Sequence, residues 1–219
     1  MMKKKIKVLQ VIPRLGYWGA ETGCYDLAHF LPERNYKSFV LTSGGELLRF
    51  VDKKKVKVFK LPVQSKNPIL ILFNAVIISF ILLVYNINIV HARSRAPAWS
   101  CFLATRFTFR KFVTTFHGTY NFNNRIKKFY NSIMVRSDLV IAGSNFIFSH
   151  INENYGTFFF KKKRKLLVIF RGINTNYFNP QKILPIKLDK FSRQNNIDRK
   201  KFIILFNLYC CTKPMSLFL

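Results

Sequence analysis

The amino-acid sequence predicts a doubly wound α/β domain, in which helices cover both faces of a parallel β-sheet. Short apolar runs alternate with longer helix-like stretches along most of the chain. Several of these runs are apolar without interruption, which is typical of strands that are buried on both faces. Turns that contain glycine or proline separate the two kinds of segment. Strands that alternate with helices in this way form a parallel sheet with helical crossovers.

The first part of the chain supplies three strands and two helices. Lys5–Ile12 is apolar enough to form the first strand, and the turn Gly16–Gly19 leads into a helix over Ala20–Leu31. Four further elements follow in this order: the strand Ser38–Thr42, the glycine turn Ser43–Gly45, the strand Val56–Leu61, which Pro62 closes, and the apolar helix Ile69–Tyr85.

The second part continues the alternation, and we see no internal repeat in it. Ser144 has the side chain and the position of an N-cap for a helix that runs to Tyr155. The other predicted elements are the strand Ile87–His91, the helix Pro97–Phe107, the strand Lys111–Phe116, a helix ending over Tyr130–Arg136, and the strands Leu139–Ala142 and Leu166–Phe170.

Composition indicates a folded and strongly basic domain. The 219 residues include 37 Lys and Arg against 9 Asp and Glu, a formal charge of +28, yet 49% are hydrophobic. That apolar content argues against disorder, and four cysteines are too few to hold a secreted disulfide scaffold together. Such a charge attracts phosphates, nucleic acid or an anionic membrane face. No nucleic-acid recognition motif accompanies it, so we expect no nucleic-acid partner.

The segment Ile69–Tyr85 is the one stretch that raises the question of a membrane span. Only Asn74 and Ser79 are polar in its 17 residues. As a helix it would be roughly 25 Å long, whereas the hydrocarbon core of a bilayer is roughly 30 Å thick. A buried or interface-lying helix is therefore favoured, with a true span as the alternative.

In a doubly wound sheet, ligands bind beyond the carboxyl ends of the strands. His117 and Gly118 follow one strand directly, and Arg93 and Arg95 follow another. If that second segment is extended, both arginines point to one side and grip an anion, whereas in a helix they are surface charges. His117 is either catalytic or structural. The other candidates at strand ends are Gly16, Gly19, Glu21, Arg171 and Gly172.

Several familiar site types do not fit these residues. The turn Gly16–Gly19 either brings backbone N–H groups to an anion or is simply a tight turn. It lacks the G-x-G-x-x-G spacing, so a nicotinamide site is weakly supported. No Asp or Cys lies where it would complete a triad or a metal site with His117.

Five motifs occur in order along the chain: VLQVIPRLGYWGAE, IVHARSRAPAWS, FVTTFHGTY, YNSIMVRSDLVIAGSNFI and VIFRGINTNYFNP. Together they resemble the N-terminal domain of bacterial retaining glycosyltransferases of the GT-B type, which build lipopolysaccharide and other surface polysaccharides. The resemblance extends from about Lys5 to Pro180. It implies two Rossmann-like domains, the first holding the acceptor and the second holding most of the nucleotide-sugar.

The resemblance also implies roles for individual residues. His117 would be catalytic and face the reacting sugar, and Gly19, Ala20 and Glu21 would face the donor phosphates and the acceptor. The remaining binding residues would be Gly16, Arg93, Arg95, Gly118, Arg171 and Gly172. The nucleotide-sugar would be a substrate, no cofactor or metal ion would be needed, and the acceptor would be a lipid or a polysaccharide.

The resemblance ends after residue 180. We expect residues 1–180 to form the acceptor-side domain, and residues 181–219 to be a linker with the first strand of a second domain, beginning at Lys201–Leu205. The sequence beyond Leu205 departs from the family pattern. We therefore expect a truncated chain, inactive alone, whose C-terminal half is missing or is a separate polypeptide.

We expect a cytoplasmic protein that lies peripherally on the anionic inner membrane. An alternative function is a non-catalytic basic module that binds the membrane surface. The features that favour it are the apolar helix and the clusters Lys3–Lys5, Lys53–Lys55, Phe158–Phe160 and Lys161–Lys165.

Overall fold

The computed structural model describes residues 5–157, 164–172, 175–176, 179–198 and 201. Seven strands form one sheet: β1 (Lys7–Val11), β2 (Lys37–Thr42), β3 (Val56–Lys60), β4 (Ile89–Ala92), β5 (Lys111–Phe116), β6 (Leu139–Ala142) and β7 (Lys165–Val168). Their order in the sheet is β3-β2-β1-β4-β5-β6-β7 and every neighbouring pair is parallel. The predicted doubly wound α/β fold is confirmed.

Helices connect these strands: α1 (Gly19–Glu33), α2 (Pro68–Val84), α3 (Arg95–Thr108), α4 (Arg125–Asn131) and α5 (Asn145–Tyr155). Local sequence explains where they begin. The Asn67 side chain accepts a hydrogen bond from the Ile69 N–H at 2.8 Å, and Pro68 occupies the first turn of α2. The Ser144 hydroxyl accepts from the Ile147 N–H at 3.2 Å, which confirms the predicted N-cap of α5.

The two faces of the sheet bury separate apolar clusters. The larger cluster packs strand residues such as Leu9, Val90 and Phe116 against α2, α3, α5 and the 3-10 turn Ser132–Val135. The smaller packs Val40 and Val56 and others against α1 and the 3-10 turn Glu46–Phe50. α1 therefore lies on one face of the sheet, and α2, α3 and α5 lie on the other, as right-handed crossovers require.

The chain reverses its direction of winding between β1 and β4. β1 and β2 are joined by α1, whereas α2 carries the chain from the edge strand β3 back to β4, which lies on the other side of β1. The pairs Val11↔Leu41 and Val11↔Ala92 align the carboxyl ends of these three strands. This is the topological switch point at which doubly wound sheets bind their ligands.

α2 packs on the sheet with one side only. Its buried residues are Asn74, Ala75, Ile78, Ile81 and Leu82, and the Asn74 side chain donates to the Pro62 carbonyl at 3.1 Å. No helix in the described part of the chain has both the length and the apolar character that crossing a bilayer requires.

The chain divides into two compact units, of which the first ends at Arg171 and the second begins at Gly172. In the second unit the described residues include the 3-10 turn Pro180–Lys182 and the helix α6 (Pro185–Gln194). Some predicted features lie wholly or partly outside the described residues. They are Lys3–Lys5, Phe158–Phe160, Lys161–Lys165 and the strand and tail expected from Lys201 onward.

Candidate functional site

The loop between β1 and α1 is held in place by the loop that follows β2. Leu15 donates its N–H to the Gly44 carbonyl at 2.7 Å and accepts from the Leu47 N–H at 2.9 Å. Gly45 has φ 136°, and a Cβ on it would stand 2.3 Å from the Leu15 carbonyl oxygen. Only glycine fits this position, both for its backbone conformation and for the space it leaves. The turn Ser43–Gly45 therefore supports the loop that carries Gly16.

Glu21 also braces this loop. Its carboxylate accepts a hydrogen bond from the backbone N–H of Trp18 at 3.4 Å and another from that of Gly16. Burial raises the pKa of Glu21 above its usual range, and these backbone hydrogen bonds oppose the rise. Gly16 lies between two carboxylates, because a Cβ on it would be 2.6 Å from Glu21 and 2.9 Å from Glu46. Glu46 in turn forms an ion pair with Arg14.

Two glycines on one face of α1 have no side chains, and two guanidinium groups occupy the space that this leaves. Gly19 and Gly23 are one helical turn apart. A Cβ on Gly19 would stand 2.7 Å from Nη1 of Arg171, and a Cβ on Gly23 would stand 3.2 Å from Nη2 of Arg93. Two cations from the ends of different strands thus meet the first two turns of α1, where the helix dipole also favours an anion.

Arg93 is a buried cation, with 8% of its surface exposed. Its Nη1 donates to Oε1 of Gln10 at 3.0 Å, and Nε2 of Gln10 donates to the Cys24 carbonyl at 3.1 Å. Nε of Arg93 has no hydrogen-bond partner among the described residues. Burial lowers the pKa of Arg93, and Arg171 lowers it further. In the part of the chain that the structure describes, no carboxylate forms an ion pair with Arg93, and the charge of Asp26 opposes the lowering of its pKa only in part. A buried arginine without an ion-pair partner is costly, so its position favours a role toward an anion.

Arg95 faces a different environment. Its Nη1 donates to Oδ1 of Asn131 at 2.9 Å, and its guanidinium lies 4.5 Å from the centre of the Tyr120 ring. Arg95 is the first residue of α3, with Ser94 as the extended residue before it. Because the backbone changes conformation between them, Arg93 and Arg95 contact different groups and neither is a simple surface charge.

His117 and Arg171 come together at the ends of β5 and β7. Nη2 of Arg171 donates to Nδ1 of His117 at 2.7 Å. Since a guanidinium only donates, Nδ1 must be the acceptor and Nε2 carries the proton. That buried Nε2–H has no partner among the described residues. Burial, followed by the charges of Arg93 and Arg171, lowers the pKa of His117 to about 3. His117 is therefore a neutral hydrogen-bond donor.

His91 lies behind this group as a buried structural neighbour. Its Nε2 is 2.7 Å from the Thr115 hydroxyl. Burial first, and then Arg93 and His117, lower the pKa of His91 to about 3. Gly118 directly follows His117, and the space beside it is open, because a Cβ on Gly118 would meet nothing within 4 Å.

The strand-end cluster of Arg93, His117 and Arg171 combines two cations with one neutral N–H donor. In the described residues the ion pairs are Arg14–Glu46 and Lys55–Glu33, so neither arginine of the cluster is neutralised by a carboxylate. No group of three or more His, Cys, Asp or Glu side chains within the described ranges is arranged to hold a metal ion. The arrangement is able to bind an anion and to donate to a substrate oxygen next to it.

The sequence did not indicate some residues that the site needs. Gln10 is one, although a polar residue inside the apolar run of β1 was a usable signal. Gly23 and Asn131 gave no such signal, because their roles depend on partners distant in the sequence. Tyr120 belongs to the strand-end motif FVTTFHGTY, but its contact with Arg95 is not predictable from that motif. Of the predicted residues, Ala20 lies in the first turn of α1, and nothing stands within 4 Å of a Cβ on Gly172.

Comparison with known proteins finds one family and a set of solved structures. The sequence model of Glycosyltransferase Family 4 matches residues 18–177. A glycosyltransferase from Rickettsia africae ESF-5 is 38% identical over 90% of this chain, with a TM-score of 0.75. HepE from Anabaena, solved with UDP-glucose, is 17% identical over 87% of this chain, with a TM-score of 0.67. MurG from Acinetobacter baumannii is 13% identical over 80%, with a TM-score of 0.55.

The chain spans about half the length of these three solved proteins, between 48% and 51%. No curated protein matches it. The two less similar structures support the shared fold alone, whereas the family match and the similarity to the Rickettsia protein support membership of the family.

Proposed function

Because the chain belongs to Glycosyltransferase Family 4, we propose that it takes part in transferring a sugar from a nucleotide-sugar to an acceptor. The strand-end cluster is the observation that carries this proposal. Among the described residues neither Arg93 nor Arg171 forms an ion pair with a carboxylate, and the buried Nε2–H of the neighbouring His117 has no hydrogen-bond partner. A nucleotide-sugar joins an anionic diphosphate to a sugar ring that carries hydroxyl groups. The diphosphate matches the two arginines, and a sugar oxygen matches the N–H donor of His117.

The chain's own groups have separate roles in this proposal. Arg171 and the N-terminal N–H groups of α1 stabilise the negative charge that develops on the departing diphosphate. The charge stabilisation is thus assigned to protein groups, without a metal ion. The Nε2–H of His117 donates to an oxygen of the reacting sugar and orients its anomeric carbon. Arg171 keeps that proton on Nε2, so His117 acts as a donor and not as a general base.

The finer features of the reaction come from the five sequence motifs. We propose transfer with retention of the anomeric configuration, to a lipid-linked or polysaccharide acceptor of the cell envelope. UDP and UDP-glucose, the ligands with which HepE was solved, support a UDP-sugar as donor. The protein would work at the anionic face of the inner membrane.

We further propose that the 219 residues bind the reacting sugar but do not transfer it unaided. The related solved proteins are about twice as long, and a transfer site needs both orientation and electrostatic stabilisation of the donor. A donor-binding domain beyond these 219 residues would complete the site.

Two assays on the purified chain test the function. In the first, UDP-glucose is titrated while the side-chain resonances of the strand-end cluster are followed, and we expect weak binding centred on His117. In the second, hydrolysis or transfer is measured with a panel of nucleotide-sugars, and we expect no turnover. Turnover by the isolated chain would refute the need for a second domain. Vesicle binding without any nucleotide binding would favour the non-catalytic membrane module instead.

A further inference from the structure

α2 presents a strip of exposed apolar side chains along its whole length. Seven residues share this strip, which we call the α2 face, and each has between 53% and 75% of its surface exposed: Ile69, Leu72, Phe73, Val76, Phe80, Leu83 and Val84. Their spacing of three or four residues places them on one side of the helix. A continuous apolar strip of this size on a folded protein marks an interaction surface.

The helix α3 lies beside α2 and carries an exposed apolar side chain of its own. The Ser100 hydroxyl of α3 donates to the Ile71 carbonyl of α2 at 3.0 Å, which fixes the two helices side by side. Phe107, near the end of α3, is 76% exposed.

The charge around this surface is mainly positive. The sequence from Leu61 to Ser137, which supplies α2, α3 and α4, contains ten Lys and Arg and no Asp or Glu. Five of the nine acidic residues lie instead on α1 and beside it, on the opposite face of the sheet: Glu21, Asp26, Glu33, Glu46 and Asp52. On the same face as α2, the helix α5 carries Glu153. Lys66 precedes α2 and Arg106 lies on α3, both exposed to solvent.

We propose that the α2 face docks the protein on an anionic lipid bilayer, with α2 lying in the plane of the interface. The apolar strip enters the boundary between headgroups and acyl chains, while lysines and arginines around it meet the lipid phosphates. A second copy of the chain is a poor occupant, because two basic faces would repel each other. A neutral apolar protein groove would leave the surrounding cations without counter-charges.

Topology connects this surface to the candidate site. α2 and α3 begin at the edge of the sheet where β3 and β4 end, and that edge carries the strand-end cluster. A protein lying on its α2 face therefore holds this edge close to the lipid headgroups. This deepens the proposed function, on which it rests, by identifying the acceptor as one presented at the bilayer surface.

Vesicle flotation with the full chain tests the docking surface. The probes are vesicles of phosphatidylcholine alone and of phosphatidylcholine mixed with phosphatidylglycerol, at low and high salt. We expect binding to the anionic vesicles that is weakened but not abolished by salt, since apolar insertion resists screening. The double variant Val76→Gln and Phe80→Gln should bind at least about tenfold more weakly, because two exposed apolar side chains no longer enter the lipid.

Matched variants separate this surface from general properties of the chain. Phe30→Gln with Phe50→Gln removes two exposed apolar side chains on the opposite face of the sheet and should change binding by less than about twofold. Lys66→Glu with Arg106→Glu should abolish the preference for anionic vesicles. Lys53→Glu with Lys54→Glu alters the net charge equally, yet lies close to Lys55, which pairs with Glu33, and should have the smaller effect.

The results would overturn the inference in two ways. Equal losses for the two apolar pairs, or for the two charge pairs, would mean that binding is not directed by the α2 face. Absence of vesicle binding by the unaltered chain would exclude bilayer docking altogether. UDP-glucose titration of the same samples reports separately on the proposed function, so vesicle binding and sugar binding can fail independently.

Discussion

Arg171 donates a hydrogen bond to Nδ1 of His117 at 2.7 Å, across 54 residues of sequence. This contact determines which nitrogen of the imidazole carries the proton, and it leaves the Nε2–H directed away from the arginine. The same guanidinium lies where a side chain at Gly19 would stand. One arginine thus links the helix that receives an anion with the histidine that we propose donates to the sugar.

The tautomer of His117 should depend on Arg171. We expect nitrogen-15 spectra of the native chain to show His117 protonated on Nε2 only, and Arg171→Met to give a mixture of the two neutral tautomers. Arg171→Lys keeps a donor and should restore much of the native signal. The chain has four histidines, so the spectrum is readily assigned. A native His117 with its proton on Nδ1 would contradict the described hydrogen bond.

Gly19→Ala should impair ligand binding without loss of stability. The new methyl would stand 2.7 Å from Nη1 of Arg171, so the flexible guanidinium must move away from His117. Gly19 is the first residue of α1, outside the helix interior where glycine is most costly, so we expect only a small change in the free energy of unfolding. We expect UDP-glucose affinity, measured by titration, to fall about tenfold as a charge-assisted contact is lost.

Gly143→Ala is the matched control for this change, because Gly143 follows β6 and its new methyl would make only an ordinary contact of 3.7 Å. It should leave both affinity and the His117 resonance unchanged. If the two alanine variants bind UDP-glucose equally well, the position of Arg171 does not matter for binding.

Gly45→Ala should destabilise the fold far more than Gly44→Ala. Both residues have positive φ, which costs a substituted alanine about 1–3 kcal/mol. At Gly45 the methyl would also strike the backbone of Leu15, which cannot retreat, whereas Gly44 has nothing within 4 Å. We expect the difference in the free energy of unfolding, from urea denaturation, to exceed about 2 kcal/mol. Equal losses would show that the contact with Leu15 is unimportant.

Acid should destabilise the protein through His91 and His117. Burial lowers both pKa values from 6.5 to about 3 in the folded chain. As pH falls below 6.5, these two histidines are protonated in the unfolded chain but stay neutral in the folded chain. The free energy of unfolding therefore decreases. Each histidine contributes at most about 1.4 kcal/mol per pH unit within this window.

His91→Gln removes one of these two contributions. Urea denaturation between about pH 6 and about pH 4 should therefore give a shallower pH dependence for the variant than for the native chain. Identical slopes for the two proteins would mean that His91 is protonated in the folded state.

Local sequence patterns were sufficient for most of the fold. The continuous apolar runs predicted the parallel strands, and Ser144 was recognised as an N-cap from its own side chain and the helix after it. The last strand was less accurate: Leu166–Phe170 was predicted and β7 is Lys165–Val168. Phe170 is apolar but 66% exposed, so hydrophobicity alone extended the strand too far.

Contacts between distant residues were beyond the sequence pattern. Their spacing of two residues would place Arg93 and Arg95 on the same side of an extended segment. In the structure a helix begins between them, and their partners Gln10 and Asn131 come from other elements. Gly16 and Gly19 were recognised as a turn before a helix. That Gly19 makes room for Arg171 depends on the tertiary structure, in which the parallel strands place the carboxyl ends of β1 and β7 on the same side of the sheet.

The central claim is that the strand-end cluster contacts the reacting sugar through His117. The most direct measurement is a titration of the labelled chain with UDP-glucose, followed on the nitrogen resonances of all four histidines. We predict a saturable shift of the His117 Nε2–H with little change at His29 and His150, and loss of that shift in Arg171→Met. A His117 resonance that stays unchanged while UDP-glucose binds elsewhere on the protein would contradict the account.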